Sequence, residues 1–244
     1  MANAVLERPA ALSAGPKGRI LTIDALRGLC LVLMMAYHFT YDLVFYCGLP
    51  RTLIDAPAMA VIQVIASRGF ILLAGVSCRL SRSNLRRGVI VLCAGALVQI
   101  VSGLWGDPIH FGILQFMGCA MLIYGMTDWI WQRMGRWLPL LCAAAFVPAR
   151  LLLPARVEVD FLFPFGLMGP AFRSSDYFPL LPWLFLFLLG TWLGGYVRER
   201  RGPDWLYRLR VPGLNWLGRR SLLVYLIHQP VLVGAAWLLA RALS

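Results

Sequence analysis

Long apolar runs separated by short polar segments dominate the chain. Each run approaches or exceeds the roughly 20 residues that a helix needs to cross a bilayer. The pattern predicts seven membrane-spanning helices, over residues 20–47, 57–80, 86–105, 110–131, 136–153, 178–198 and 219–240. The fifth is the weakest, because two prolines and an arginine interrupt it. If it does not cross, the number of passes is six and the C-terminus changes sides.

Composition supports an all-α integral membrane protein. The 244 residues are 60% hydrophobic and 14% charged, and the mean hydropathy is +0.72. A soluble domain of this length rarely reaches such values. The net charge of +12 does not indicate a nucleic-acid partner, because the basic residues lie in short loops between apolar runs.

The distribution of basic residues predicts the orientation. Of the 23 lysines and arginines, 16 fall in the tail, loops and span ends on the side of the N-terminus, and two lie within spans. The other five fall on the opposite side: Arg51, Arg150, Arg156, Arg173 and Arg241. Since cytoplasmic loops are enriched in lysine and arginine, we expect a cytoplasmic N-terminus and an external C-terminus. The chain is predicted to be a multi-pass protein of the cell (inner or plasma) membrane.

The chain reads as one membrane domain with a tail. Residues 1–18 are rich in Ala, Pro and Gly and lack an apolar core, which predicts a disordered cytoplasmic tail and not a cleaved signal peptide. Residues 19–244 then form one transmembrane domain. The six cysteines are scattered with no CxxC pair, so neither a disulfide framework nor a metal site is predicted.

The first span carries four ionisable residues, Asp24, Arg27, His38 and Asp42. Such groups are costly at membrane depth and usually face a cavity or a pathway that uses them. On a helix they fall within an arc of roughly 60°. Asp24 and His38 are about 21 Å apart along the axis, at ~1.5 Å per residue. The spacing predicts a polar stripe that links the two membrane surfaces.

His38 and Asp42 form the candidate catalytic pair. The i,i+4 spacing brings two side chains together on a helix. A carboxylate beside an imidazole fixes its tautomer and stabilises the protonated ring, as a general base requires. The structural alternative is a buried histidine that donates to a backbone carbonyl, with Asp42 wetted at the interface.

Three further charged residues have functional and structural interpretations. Asp24 and Arg27 are i,i+3 neighbours at the inner mouth. There Arg27 would contact the phosphate or pantetheine arm of a cytoplasmic cofactor, with Asp24 orienting it. Alternatively, Asp24 complements the helix N-terminus and Arg27 extends to lipid phosphates. Arg68 lies near mid-membrane and needs an aqueous cavity or a partner, for which Asp42 and Asp24 are candidates.

Other polar side chains are candidates to line a cavity or bind substrate. Span four opens with a histidine at the outer surface and a deeper glutamine, and span seven places a serine, a tyrosine and a histidine on one face. Each histidine has the alternative of simple packing between helices. The outer loop 154–177 suits a partly membrane-embedded lid or an acceptor-binding surface, and the alternative is an ordinary connecting loop. The candidates are His110, Gln115, Asp176, Tyr225 and His228.

Five segments carry a family resemblance: IDALRGLCLVLMMAYHFTYDL (23–43), RGFILLAGVS (68–77), HFGILQFMGCAMLI (110–123), DYFPLLPWLFLFLLGTWLG (176–194) and LGRRSLLVYLIHQPVL (217–232). Together they resemble the heparan-alpha-glucosaminide N-acetyltransferase catalytic-domain family, part of a wider set of transmembrane acyltransferases. The resemblance implies transfer of an acetyl group from cytoplasmic acetyl-CoA to an acceptor on the far side of the membrane.

One feature departs from that family. Its lysosomal members carry a functional histidine in the loop after the first span, whereas the loop here, CGLPRTLIDAP, has none. The corresponding candidate is His38, inside the span, as in the broader acyltransferase families. The chain is also short and lacks a sizeable domain outside the membrane, which argues against heparan itself as the substrate.

The combined interpretation is a multi-pass membrane acyltransferase. Acyl-CoA would enter at Asp24 and Arg27, and His38, oriented by Asp42, would deprotonate a sugar or another cell-envelope acceptor. Arg68 or polar groups of spans four and seven would stabilise the oxyanion, and both direct transfer and an acyl-histidine intermediate remain open. No metal is expected, and the sequence does not indicate an oligomeric state. The alternatives are a small-solute or proton-coupled transporter and a non-catalytic membrane subunit.

Overall fold

The computed structural model describes residues 19–243, so the predicted tail over 1–18 lies outside the described residues. Within this range the chain forms nine α-helices and one small parallel pair of strands, β1 (Ala155–Arg156) and β2 (Leu167–Met168). The helices are α1 (Leu21–Cys47), α2 (Pro57–Leu80), α3 (Asn84–Leu104), α4 (Ile113–Met134), α5 (Leu138–Leu152), α6 (Leu180–Arg198), α7 (Trp205–Arg208), α8 (Pro212–Arg219) and α9 (Ser221–Leu243).

Six helical runs of the described chain are long and apolar enough to cross a membrane, which confirms an all-α, multi-pass membrane protein. One of these runs, Ile113–Leu152, is 40 residues long and contains both α4 and α5. The predicted fourth and fifth spans therefore appear as one run by length and composition. They are nevertheless two helices, α4 and α5, which run in opposite directions.

The chain reverses between α4 and α5. A 3₁₀ turn, Gly135–Trp137, separates them, and Gly135 has a positive φ of 49° that favours glycine. After the turn, α5 continues for 15 residues, about 22 Å at 1.5 Å per residue. That length is shorter than the roughly 30 Å hydrocarbon core of a bilayer.

Contacts at the other end of these helices fix their relative directions. The backbone N–H of Phe178 donates to the Phe111 carbonyl at 2.9 Å, so α6 begins beside the start of α4. Gly166 lies between Leu153 and Leu181, so α5 ends where α6 begins. Consequently α4 and α6 run in one direction and α5 runs in the other.

The bundle has two chemically different ends. One end, the arginine-rich face, carries Arg19, Arg82, Arg87, Arg198, Arg219 and Arg220, which line two cavities that share Ser81. The opposite end, the loop face, carries the long connection between α5 and α6. The predicted positive-inside orientation would turn the arginine-rich face to the cytoplasm.

Close helix packing depends on glycines at two crossings. A Cβ atom at Gly75 of α2 would overlap the Phe187 carbonyl of α6, and one at Gly190 of α6 would overlap the Leu72 carbonyl of α2. A Cβ at Gly218 would likewise overlap the Asp24 carbonyl. Small residues allow such close approach of helix backbones in membranes.

The short helix α8 is an element that the hydropathy pattern did not predict. Its Asn215 side chain donates to the Leu21 carbonyl at 2.5 Å, and the Thr22 hydroxyl donates to the Leu209 carbonyl at 3.2 Å. These contacts hold α8 against the first turns of α1. The last long helix consequently begins beyond α8, at Ser221.

Candidate functional site

Arg27 joins three elements near the arginine-rich face. Its guanidinium lies 3.4 Å from the Asp24 carboxylate and donates to the Gly218 carbonyl at 3.1 Å. It also donates to the hydroxyl of Ser77 on α2. Asp24 is buried and lies 3.5 Å from Arg19 as well. The i,i+3 pairing predicted for Asp24 and Arg27 is therefore present, and it is anchored to α2 and to the end of α8.

A cavity of about 650 Å³ opens beside this pair. The volume falls within the ~300–1,000 Å³ typical of small-molecule sites. Five arginines line it, Arg19, Arg27, Arg87, Arg219 and Arg220, with Asp24 as the one acid among its lining residues. The lining also includes the apolar side chains of Phe70, Leu114 and Met117, together with Tyr225. The cavity thus has a cationic mouth and a largely apolar interior.

His38 meets His228 at the contact between α1 and α9. The two ring centroids are 5.3 Å apart and the ring planes are inclined by 55°. His228 in turn lies 5.2 Å from the Tyr225 ring, and its Nδ1 is 2.6 Å from the Tyr225 carbonyl oxygen. Tyr225 lines the cavity, so Tyr225 and His228 connect the cavity to His38.

The predicted pairing of Asp42 with His38 is wrong. Asp42 is buried, and both of its carboxylate oxygens accept from the Gln229 amide, at 3.1 and 3.3 Å. The described contacts of His38 are instead ring contacts with Tyr37 and His228. A glutamine on the neighbouring helix satisfies the carboxylate across the interface.

The polar stripe predicted along the first span is divided in the structure. Asp24 and Arg27 face α8, α2 and the cavity. His38 and Asp42 face α9 and are not among the residues that line this cavity. The predicted stripe is therefore split between this cavity and the contact of α1 with α9.

Arg68 belongs to a different contact from the one predicted. Its guanidinium lies over the Trp183 ring of α6, 5.3 Å from the ring centroid. Between residues 19 and 243 no salt bridge joins it to Asp42 or Asp24. A tryptophan face stabilises a cation without a carboxylate. The structure therefore does not bring Arg68 to the histidine pair.

A second polar cluster forms near the start of α4. His110 Nδ1 lies 3.3 Å from the Gln99 amide nitrogen, and Gln115 donates to the Gln99 oxygen at 3.1 Å. The backbone N–H of His110 donates to the Ser174 hydroxyl at 2.9 Å. Gln99 is thus the hub that joins the two predicted residues, His110 and Gln115.

Asp176 connects this cluster to α9. Its carboxylate accepts from the Ile113 backbone N–H at 3.1 Å, which caps the start of α4. Burial raises the pKa of Asp176 from its ordinary 3.8 to about 6, and the hydrogen bond from Ile113 opposes that rise. The carboxylate also lies within electrostatic range of Tyr225.

The structure brings four of the ten predicted site residues near one another. Ring contacts join His38 to His228 and His228 to Tyr225, and Asp176 lies within electrostatic range of Tyr225. The pattern analysis did not single out Gln99 or Gln229, although the signal was present: both are amides inside otherwise apolar spans. Buried amides require partners. Among residues 19–243 no cluster of three metal-ligating side chains is found.

Comparison with known proteins gives one match. Residues 19–230 match the family described as "heparan-alpha-glucosaminide N-acetyltransferase, catalytic". This range holds four of the five resembling segments in full and all but the last two residues of the fifth, 217–232. No curated protein and no solved structure matches.

Proposed function

The chain belongs to the heparan-alpha-glucosaminide N-acetyltransferase catalytic family, and from this membership and the site geometry we propose that it moves an acetyl group from acetyl-CoA to a sugar or another cell-envelope acceptor. The family implies a membrane acetyltransferase. In the proposal, the donor binds at the arginine-rich face and the acceptor reaches the histidine pair from the loop face.

The observation that carries the proposal is the cavity and what lies at its inner end. Its mouth holds five arginines and one acid, a charge balance that suits the phosphates of a nucleotide-bearing donor. Its interior is lined by Phe70, Leu114 and Met117. Such a surface suits an extended pantetheine arm more than a hydrated ion.

The inner end supplies groups for acyl transfer. The thioester would lie beside Tyr225, which lines the cavity and contacts His228. His38 would act as general base and take the proton from the acceptor hydroxyl or amine. The acceptor then attacks the thioester carbon, the C–S bond breaks, and the CoA thiolate leaves.

Tyr225 is the proposed donor to the developing oxyanion. Its side chain lines the cavity and contacts His228, whereas Arg68 is engaged with Trp183. A hydroxyl that donates to the tetrahedral oxygen lowers the barrier most when it is held in a site from which water is excluded. Removing one such donor typically costs about 10²–10³ in kcat.

The test is acetyl transfer by the purified protein in lipid nanodiscs. We expect CoA release from acetyl-CoA in the presence of a sugar acceptor, and loss of that release in His38→Ala. The matched control is Thr40→Ala on the same helix, because the Thr40 hydroxyl contacts only its own helix at the Ala36 carbonyl. Full activity in a folded His38→Ala variant refutes the mechanism.

A second measurement separates the proposal from a transporter. Labelled sugar is added outside proteoliposomes, with or without a proton gradient and with or without acetyl-CoA. Transferase activity predicts acetylated product that appears only with acetyl-CoA. Uptake without consumption of acetyl-CoA would instead favour a transporter. Rapid-quench digestion that finds acetyl on a His38 peptide would select the acyl-histidine route.

A further inference from the structure

The tautomer of His228 follows from one contact. Its Nδ1 lies 2.6 Å from the backbone carbonyl of Tyr225, one turn earlier on α9. A carbonyl oxygen only accepts hydrogen bonds, so Nδ1 must carry the hydrogen. In the neutral ring the other nitrogen, Nε2, then holds a lone pair and can only accept.

That second nitrogen is buried and unpaired. Among the described residues, His228 Nε2 has no hydrogen-bond partner, and the residue is 7% exposed. A buried polar atom without a partner costs about 1–3 kcal/mol. Buried polar groups are normally satisfied, so an exception calls for an explanation such as a catalytic role.

The surroundings leave His38 as the partner. The His38 ring is 5.3 Å away between centroids, a separation that one water can bridge between a ring N–H and Nε2. The neighbouring carboxylate, Asp42, is occupied by Gln229. The Tyr225 carbonyl already holds Nδ1. His38 also lacks the carboxylate that a catalytic histidine commonly uses to retain its proton.

We propose that His228 Nε2 accepts a proton from His38, so that the two histidines form a relay. The inference rests on the proposed acetyl transfer. One nitrogen of His38 takes the proton from the acceptor, and the other nitrogen of His38 gives its proton to His228 Nε2. His228 becomes doubly protonated while the Tyr225 carbonyl keeps its hold on Nδ1–H.

The relay returns its proton at the end of the step. As the acceptor attacks, its bond to the acetyl carbon forms and the C–S bond breaks. The proton passes back from His228 through His38 to the CoA thiolate and forms the thiol. Acceptor and acetyl-CoA thus become acetylated acceptor and CoA, with no net change in either ring. His228 is a positioning and proton-holding residue, and His38 touches the reacting atoms.

The first experiment reads the tautomer without any turnover. The chain has three histidines, so ¹⁵N-histidine labelling in nanodiscs gives few signals, and His110→Gln and His38→Gln variants assign them. We expect His228 to show a pyrrole-type Nδ1 and a pyridine-type Nε2. An Nε2-protonated His228 overturns the proposal. So does a ring that remains charged at neutral pH.

The second experiment is kinetic and uses His228→Asn. The Asn amide nitrogen can still donate to the Tyr225 carbonyl, but the side chain has no group in place of Nε2. We expect kcat to fall about 10²–10⁴-fold, with KM for acetyl-CoA changed less than about threefold. The wild-type proton inventory should be curved, because two protons move, and that of the variant linear.

Controls make each outcome informative. Ile227→Ala, on the adjacent lipid-exposed position of α9, should keep wild-type kinetics. A His228→Asn variant with wild-type kcat overturns the relay, and so does one in which only KM changes. Absence of acetyl-CoA turnover by the wild-type protein would defeat the proposed function instead, while the tautomer measurement would still report on the geometry of His228.

Discussion

The Asp176 carboxylate makes a sharp prediction about stability. It sits in the loop before α6, accepts from the Ile113 N–H at 3.1 Å, and has its pKa raised by burial from 3.8 to about 6. The unfolded chain would keep the ordinary value. Folding therefore favours the protonated acid, and the ionised form at neutral pH destabilises the fold.

The sign and size of the effect follow from these values. Between pH 4 and 6 the folded state binds more protons than the unfolded state, so stability falls as pH rises through this window. Each pKa unit corresponds to about 1.4 kcal/mol. A rise from 3.8 to about 6 therefore corresponds to at most roughly 3 kcal/mol above pH 7. For a chain of this size that equals about 6–12 °C in Tm.

The assay is thermal unfolding of wild type and Asp176→Asn, followed by tryptophan fluorescence in detergent from pH 5 to 8. The amide oxygen of Asn can still accept from the Ile113 N–H. We expect the variant to be the more stable protein at pH 8, and the gap to shrink toward pH 5. The control is Asp204→Asn, whose carboxylate is 77% exposed and should leave the pH slope unchanged. Equal pH slopes for wild type and Asp176→Asn would refute the reasoning.

Three further outcomes test other parts of the structure. Arg27→Lys should raise KM for acetyl-CoA about tenfold, because lysine cannot reproduce the forked contacts of the guanidinium; an unchanged KM in steady-state assays would contradict donor binding there. Gly75→Ala should destabilise the fold by about 1–3 kcal/mol, since the new Cβ would overlap the Phe187 carbonyl, and a Tm equal to that of wild type would argue against this crossing. Arg68→Gln should keep kcat within about threefold and lose only the ~0.5–1 kcal/mol of its contact with Trp183; a loss above about 100-fold would return Arg68 to the reaction.

Hydropathy predicted the long helices well because burial in lipid is a property of a continuous segment. The second span was expected at 57–80, and the structure has α2 at Pro57–Leu80. The sixth was expected from 178, whereas α6 begins at Leu180, after Pro179 at its N-cap. Each of these helices has enough apolar residues to be detected from its own sequence.

The candidate site was harder to predict because its contacts join different helices. The i,i+4 rule correctly put His38 and Asp42 on one side of α1, but it did not reveal which residues of another helix approach that side. Gln229 competes for Asp42 across the interface with two hydrogen bonds. Trp183 likewise replaces a carboxylate as the partner of Arg68. One sequence does not show which residue of another helix will contact a given side chain.

The juxtaposition of His38 and His228 depends on the short helix α8. Three contacts relate α1 to α9: His38 with His228, Asp42 with Gln229, and Cys47 with Ala236. In these three pairs the α1 residue lies 10, 13 and 11 residues further from the start of its helix than its α9 partner does. The start of α9 is therefore displaced along the axis of α1 by about 15–20 Å, at ~1.5 Å per residue.

That offset is explained by α8, which lies against the first turns of α1 and so delays the start of α9. The eight residues of α8 are too few to register as a span, yet they set the axial register of the longest helix against the last. Without this displacement, His228 would lie at the level of Gly28, near the Asp24–Arg27 pair and several turns from His38. The register set by α8, more than the pattern along α1, brings these two distant histidines into contact.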